Sequence, residues 1–277
     1  MSLNSKVAII TGSSSGIGAE IAVKLASMGA TVVVTGRQSD RIQEVVNKCQ
    51  TLLSKTADEH RSQVVAYGVS CDLTDDKDVD RLIGSVVDKF HRIDILVNNA
   101  GVGSRSQFLS DGNEYFSQYD QLMDMNLRSV QRITRLVIPY LIETRGQIVN
   151  ISSIRSRLAA PKNFAYSMSK AAIDAFTLAL AKQLAPLGVR VNIVSPTTTR
   201  TPLWKTVYGT DQLVDSMAAT MKYTCPLGRI GEPIDVAEAV AYLVSTNSLT
   251  KTLITGQTVP VDGGVLCSGV RHNYSVK

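Results

Sequence analysis

Aromatic residues make up only 5% of the 277-residue sequence, with a single tryptophan. A surface that stacks on nucleic-acid bases needs aromatics interleaved with basic residues, and no stretch supplies them, so no nucleic-acid partner is expected. Cysteine is equally sparse. Cys49, Cys71, Cys225 and Cys267 stand far apart with no CxxC pair, which excludes a disulfide framework or zinc site by spacing and points to free thiols in a reducing compartment. His60, His91 and His272 are isolated, and no metal is expected. No apolar run approaches the roughly 20 residues that span a bilayer. The first one, Val7 to Ile10, stops at Thr11-Gly12 and is too short for a signal peptide. The expectation is an intracellular, cytoplasmic protein with no membrane span. Charge of one sign is not concentrated either: 29 basic against 24 acidic residues leave a net charge of +5, spread along the chain.

What is present is aliphatic. The chain is 44% hydrophobic, enough for a sizeable core, and the apolar residues alternate between two patterns. Short continuous runs read as strands: Val7 to Ile10, Thr31 to Thr35, Val64 to Val69, Ile93 to Val97, Gln147 to Ile151, Val189 to Val194 and Thr258 to Val261. Helically spaced segments separate them: Ile17 to Met28, Asp40 to Leu53, Val79 to Phe90, Gln118 to Ile142, Ala165 to Leu187 and Ile234 to Val244. Strands apolar on both faces, joined by amphipathic helices, predict an α/β fold: one Rossmann-type doubly wound domain over residues 1–277, with a parallel sheet covered by helices on both sides. The polar stretch Gly103 to Phe116 and the proline-bearing stretch Pro196 to Pro226 break the pattern. Loops at strand C-termini are where such folds build their sites.

The first strand leads into Thr11-Gly12-Ser13-Ser14-Ser15-Gly16-Ile17-Gly18 and then a helix. Glycine allows the tight turn and the close approach of a pyrophosphate, and the helix N-terminus offers unpaired N–H groups. Gly12, Ser14, Ser15, Gly16, Ile17 and Gly18 are therefore candidate dinucleotide-binding residues. The second strand ends Thr35-Gly36-Arg37, with no acid before Asp40 to hold a ribose 2′-hydroxyl. Arg37 suits a 2′-phosphate instead, which favours NADP(H) over NAD(H).

Tyr166 and Lys170 are four residues apart at the start of a helix and share a face. A phenol near pKa 10 is a poor acid–base catalyst at neutral pH unless a neighbouring cation favours its anion. Ser153, just after the fifth strand, is placed to hydrogen-bond the same oxygen.

These segments, with Asp72-Leu73, Asn98-Asn99-Ala100-Gly101, Asn126, Val191-Asn192-Ile193-Val194-Ser195-Pro196 and Val261-Asp262-Gly263-Gly264, resemble the short-chain dehydrogenase/reductase family over nearly the whole chain. The resemblance implies a seven-stranded parallel sheet, a nicotinamide cofactor and a homodimer or homotetramer. It also implies roles. Tyr166 matches the general acid/base and Lys170 the residue that binds the nicotinamide ribose and lowers the tyrosine pKa. Ser153 matches the substrate-orienting serine, and Asn126 the helix-kink residue whose carbonyl holds a relay water. Asp72 and Leu73 would flank adenine; Asn99, Ala100 and Gly101 would line the adenosine side. Pro196, Thr199 and Thr201 would hold the nicotinamide side. Where the family has Pro-Gly, this chain has Pro196-Thr197, and threonine lacks glycine's freedom at positive φ.

The expected reaction interconverts a carbonyl and an alcohol by hydride transfer. Phe108, Tyr115, Phe116, Leu203, Trp204, Val207 and Tyr208 suggest a partly apolar small-molecule substrate. Arg155 and Arg157 raise an acidic-substrate alternative, against a solvent-facing or subunit-contact role. A different class of reading, an NADP(H)-binding sensor without turnover, is disfavoured by the intact Ser153, Tyr166 and Lys170.

Overall fold

The computed structural model describes residues 2–54, 65–104, 108, 112, 114–158, 163–208, 215–216, 218–219, 224–245 and 253–267. Seven strands form one sheet: β1 (Val7–Ile10), β2 (Thr31–Gly36), β3 (Ala66–Ser70), β4 (Ile95–Asn98), β5 (Gln147–Ile151), β6 (Arg190–Pro196) and β7 (Thr258–Val261). Their order is β3-β2-β1-β4-β5-β6-β7, and every pair is parallel. The winding reverses between β1 and β4, so a crevice opens there beyond the strand C-termini.

Eight helices are described: α1 (Gly16–Ser27), α2 (Ser39–Ser54), α3 (Asp76–Phe90), α4 (Glu114–Met123), α5 (Ser129–Thr144), α6 (Phe164–Leu184), α7 (Pro202–Tyr208) and α8 (Pro233–Val244). The strands are apolar on both faces because helices cover both. Ala8, Ile10, Val32, Val34, Ile95 and Val97 pack toward α1, α2 and α8. Their alternate neighbours Ile9, Val33, Leu96 and Ile148 pack toward α3, α5 and α6. Each fully buried Ile or Leu stabilises the fold by about 1.5–3 kcal/mol, so this double layer holds the strand ends rigidly in place.

Several boundaries differ from the sequence expectation, and three of the differences have a clear local reason. Helix α3 starts three residues early because Asp75 accepts hydrogen bonds from the backbone N–H groups of Lys77 and Asp78, a cap worth about 1 kcal/mol. The periodicity of apolar residues cannot show a polar first turn. Helix α6 ends at Leu184, and Ala185–Leu187 tightens into a 3-10 turn around Pro186. The single helix expected over Gln118 to Ile142 is α4 and α5 joined by a π-helical turn, Asp124–Arg128. Such turns are rare and concentrate at functional sites. The expected start of the third strand, Val64, lies outside the described residues.

Candidate active site

One cleft of about 800 Å³ runs along the C-terminal edge of the sheet. The β1–α1 turn forms its floor. Gly12 and Gly16 have φ of +62° and +56°, a region closed to most side chains. Ser13 fixes the turn to the sheet: its hydroxyl donates to the Ile10 carbonyl (2.6 Å) and accepts from the Thr35 N–H (2.9 Å). Thr11 Oγ1 accepts from the N–H groups of Asn99 and Ala100, while Asn99 Nδ2 donates to the carbonyls of Thr11 and Gly12. The Asn-Asn-Ala-Gly segment therefore braces the glycine turn as well as lining the cleft. The N-cap of α1, Ser15, makes no side-chain bond to the helix end, and the first turn carries no acid. Its N–H groups face the cleft free for an anion.

Gly12, Ser14, Ser15, Gly16, Ile17, Arg37, Asp72, Leu73, Ala100, Gly101 and Asn99 line the glycine-turn end of the cleft. Gly18 does not. It is buried in the first turn of α1, where an added Cβ would stand 2.5 Å from the Gly12 carbonyl and also meet Asn99 Nδ2. Its glycine serves helix–loop packing. Asp72 Oδ1 accepts from the Thr74 N–H and hydroxyl, and these bonds hold its carboxyl below the ordinary range. Arg37 is exposed at the end of β2. Arg41, in the first turn of α2, lines the same end. Its four-residue spacing from Arg37 was the signal available in the sequence.

The other end gathers Ser153, Tyr166, Lys170, Pro196, Thr199 and Thr201 on the same cleft. Lys170 is buried on α6, and its Nζ donates to the Ile151 carbonyl at 2.9 Å. It lies 5.8 Å from the Tyr166 ring centroid. Burial pushes the Lys170 ammonium down to about 8, with Asp174 opposing. Burial pushes the Tyr166 phenol up; a hydrogen bond with Ser153 and the charge of Arg155 pull it back. Arg155 is therefore a cation acting on the phenol, beside the Lys170 ammonium near its ring. Ser153 Oγ accepts from the Arg155 N–H at 3.2 Å and so starts the short turn Ile154–Ser156 that carries this arginine.

Asn126 does not line the cleft. It lies fully buried in the π turn, directly behind Gly101. Its Oδ1 accepts from the Val102 N–H (2.8 Å) and its Nδ2 donates to the Val102 carbonyl (2.9 Å) and to Ser169 Oγ (3.1 Å). Ser169 in turn donates to the Tyr166 carbonyl. This side chain ties the β4 loop to the helix that carries the tyrosine.

The loop after β6 closes the cleft. Among the described residues only Ser5, His91 and Arg145 are non-glycine residues at positive φ, so Thr197 carries no strain. Its N–H donates to the Val261 carbonyl at 3.0 Å. Thr199 bridges to Gly231, and Thr201 stands over the glycine turn, 3.3 Å from where a Gly16 Cβ would be. Leu203, Trp204 and Val207 add apolar wall. The aromatics expected beside them take another place. Tyr115 meets Phe108 and Phe116 edge to face and Phe108 packs at a tilt on Phe164, and none of the four lines the cleft. The Tyr208 side chain lies outside the described residues.

The profile of a family described as Enoyl-(Acyl carrier protein) reductase matches residues 12–266. A 3-oxoacyl-[acyl-carrier-protein] reductase of Thermotoga maritima is 34% identical over 267 residues, covering 96% of this chain and 100% of that one. A cofactor-bound short-chain dehydrogenase/reductase of unknown function from Caenorhabditis elegans superposes with a TM-score of 0.85 at 34% identity, covering 96% and 97% of the two chains. A 3-ketoacyl-(acyl-carrier-protein) reductase from Brucella melitensis, complexed with NADH, gives 0.80 at 32% identity, covering 95% and 99%.

Proposed function

Because the chain belongs to the short-chain dehydrogenase/reductase family, and is an oxidoreductase acting on CH–OH or C=O groups, we propose that it is NADP-dependent and uses Tyr166 as general acid/base. The observation that carries this reading is the meeting of Ser153, Tyr166 and Lys170 in the same cleft as the uncapped N-terminus of α1. That end of the cleft fits a dinucleotide: open N–H groups, glycines at positive φ and no acid in the first helical turn.

A bound nicotinamide supplies or accepts the hydride at the substrate carbon. The protein's part is positioning and proton transfer. The Tyr166 hydroxyl gives its proton to the carbonyl oxygen during reduction and takes it back in the reverse direction. Ser153 donates to the same oxygen. Lys170 contributes positive charge and a donor for the ribose. Asn126 is a positioning residue, acting through Val102 and Ser169. At the far end, Arg37 and Arg41 favour a 2′-phosphate. The whole chain is read as one NAD(P)-binding domain, supported by the unbroken sheet. Exposed Phe164, Met168 and Leu178 along α6 support a homodimer or homotetramer. The four free thiols support a reducing, cytoplasmic setting; no helix of the described residues is long and apolar enough to cross a membrane.

The test is oxidation of NADPH and of NADH with ketones, aldehydes, a 3-oxoacyl thioester and an enoyl thioester. Carbonyl reduction with NADPH is expected, and Tyr166→Phe should lower kcat about 10²- to 10⁴-fold. Turnover of the enoyl thioester alone would replace carbonyl chemistry with C=C reduction. Tight NADPH binding without any turnover would favour the sensor.

A further inference from the structure

The cations lining the cleft are not equally occupied. Arg229 is held bidentate by Asp235, at 2.6 and 2.8 Å. Lys170 donates to the Ile151 carbonyl. Arg37 and Arg41 lie at the adenosine end, where Ser14 and Gly36 pack together. Arg155 stands instead at the reacting end, two residues after Ser153, on a turn anchored by the Ser153 hydroxyl. Among the described residues it makes no ion pair, and the only acid lining the cleft is Asp72, at the other end. A half-buried guanidinium without a carboxylate favours an incoming anion, and its planar fork matches a carboxylate best. Val102, Leu158, Leu203, Trp204 and Val207 form the surrounding apolar wall.

We propose that Arg155 is a specificity residue that binds the carboxylate of a short oxo acid or hydroxy acid, holding it while Ser153 and Tyr166 engage the carbonyl or hydroxyl a few atoms away. The proposal rests on the carbonyl–alcohol reading for its chemistry, and on the unpaired arginine for its substrate class. The anion belongs to the small molecule itself, not to a carrier phosphate at the end of a thioester.

The test compares pyruvate, acetoacetate and levulinate with their methyl esters, and with a neutral 3-oxoacyl N-acetylcysteamine thioester, all with NADPH. At least one acid should exceed its ester tenfold or more in kcat/KM. Arg155→Met should bring that ratio within about twofold, and Arg155→Lys should keep part of it. A second readout needs no turnover: acetate, propanoate and butanoate, against their amides, titrated by fluorescence into the enzyme–NADPH complex at constant ionic strength. The preferred carboxylate should bind the wild-type protein at least tenfold more tightly than its amide, and Arg155→Met should remove the difference. Esters or the thioester outrunning every acid overturn the proposal, as does an acid preference or carboxylate binding that survives Arg155→Met. If no carbonyl is reduced while carboxylates still bind through Arg155, the reductase reading fails and this one stands.

Discussion

The two ends of the cleft spend their polar groups differently. At the β1–β4 end, Thr11, Ser13 and Asn99 are consumed in bonds to backbone, and the ligand surface they create is backbone N–H. At the β5–β6 end, the side chains of Ser153, Tyr166 and Arg155 face the cleft themselves. The first end is a rigid cradle whose recognition is set by chain path. The second is a chemical surface whose specificity is set by side-chain identity and charge. Substitutions at the first should damage folding and cofactor affinity together; at the second they should leave the fold standing and change the chemistry.

Gly18→Ala attacks the cradle where it is tightest. The new methyl would meet both Asn99 Nδ2 and the Gly12 carbonyl, and neither can retreat without breaking the brace. Overpacking of this kind costs about 1–3 kcal/mol, and occasionally more where backbone must move. Denaturant unfolding should show that loss, accompanied by weaker NADPH binding. A variant as stable as the wild type would mean the brace is soft and the two ends are less different than their bonding suggests.

At the second end, burial places an electrostatic cost on Lys170. Its ammonium is pushed from 10.5 to about 8 by burial. Below pH 8 both folded and unfolded chains hold this proton, and the folded state bears the full desolvation cost. Between pH 8 and 10.5 the unfolded chain binds more protons than the folded one, so stability rises with pH by up to about 3 kcal/mol. Measured without cofactor, the stability of the wild type relative to Lys170→Met should climb across pH 8 to 10. Parallel pH curves for the two proteins would show that water reaches the ammonium and that the site is no more desolvated than the cradle.

The same contrast explains what was legible in the sequence. The parallel sheet could be expected because its strands are continuous apolar runs, and the glycine turn because backbone demands leave a spacing: Gly12, Gly16 and Gly18 at fixed intervals after the first run. The role of Gly18 was not legible, since close approach to Asn99 depends on a contact across 81 positions of chain. Nor could Asn126 be seen turning away from the cleft toward Val102 and Ser169, because a π turn shifts helix phase without any glycine or proline to mark it. The aromatics near Phe108 looked like substrate wall by proximity in sequence; in the structure they meet one another edge to face and touch α6 through Phe108 instead. Thr197 looked strained beside a family glycine, yet its φ needs none.

The smallest effect is expected where the cradle becomes chemical, at Arg37. Both Arg37 and Arg41 are exposed, so each contributes through a screened charge. Arg37→Ala should raise the KM for NADPH about tenfold, equivalent to about 1.4 kcal/mol, and change that for NADH less than twofold. Adding Arg41→Ala should widen the loss, and raising salt from 50 to 500 mM should shrink the difference between wild type and variant. If the two cofactors weaken equally, Arg37 acts on the adenine face they share and not on a phosphate. The Brucella melitensis relative, complexed with NADH, makes NADH the informative arm: a rate with NADH equal to that with NADPH would place this end wholly on the backbone side of the comparison, with no charge readout at all.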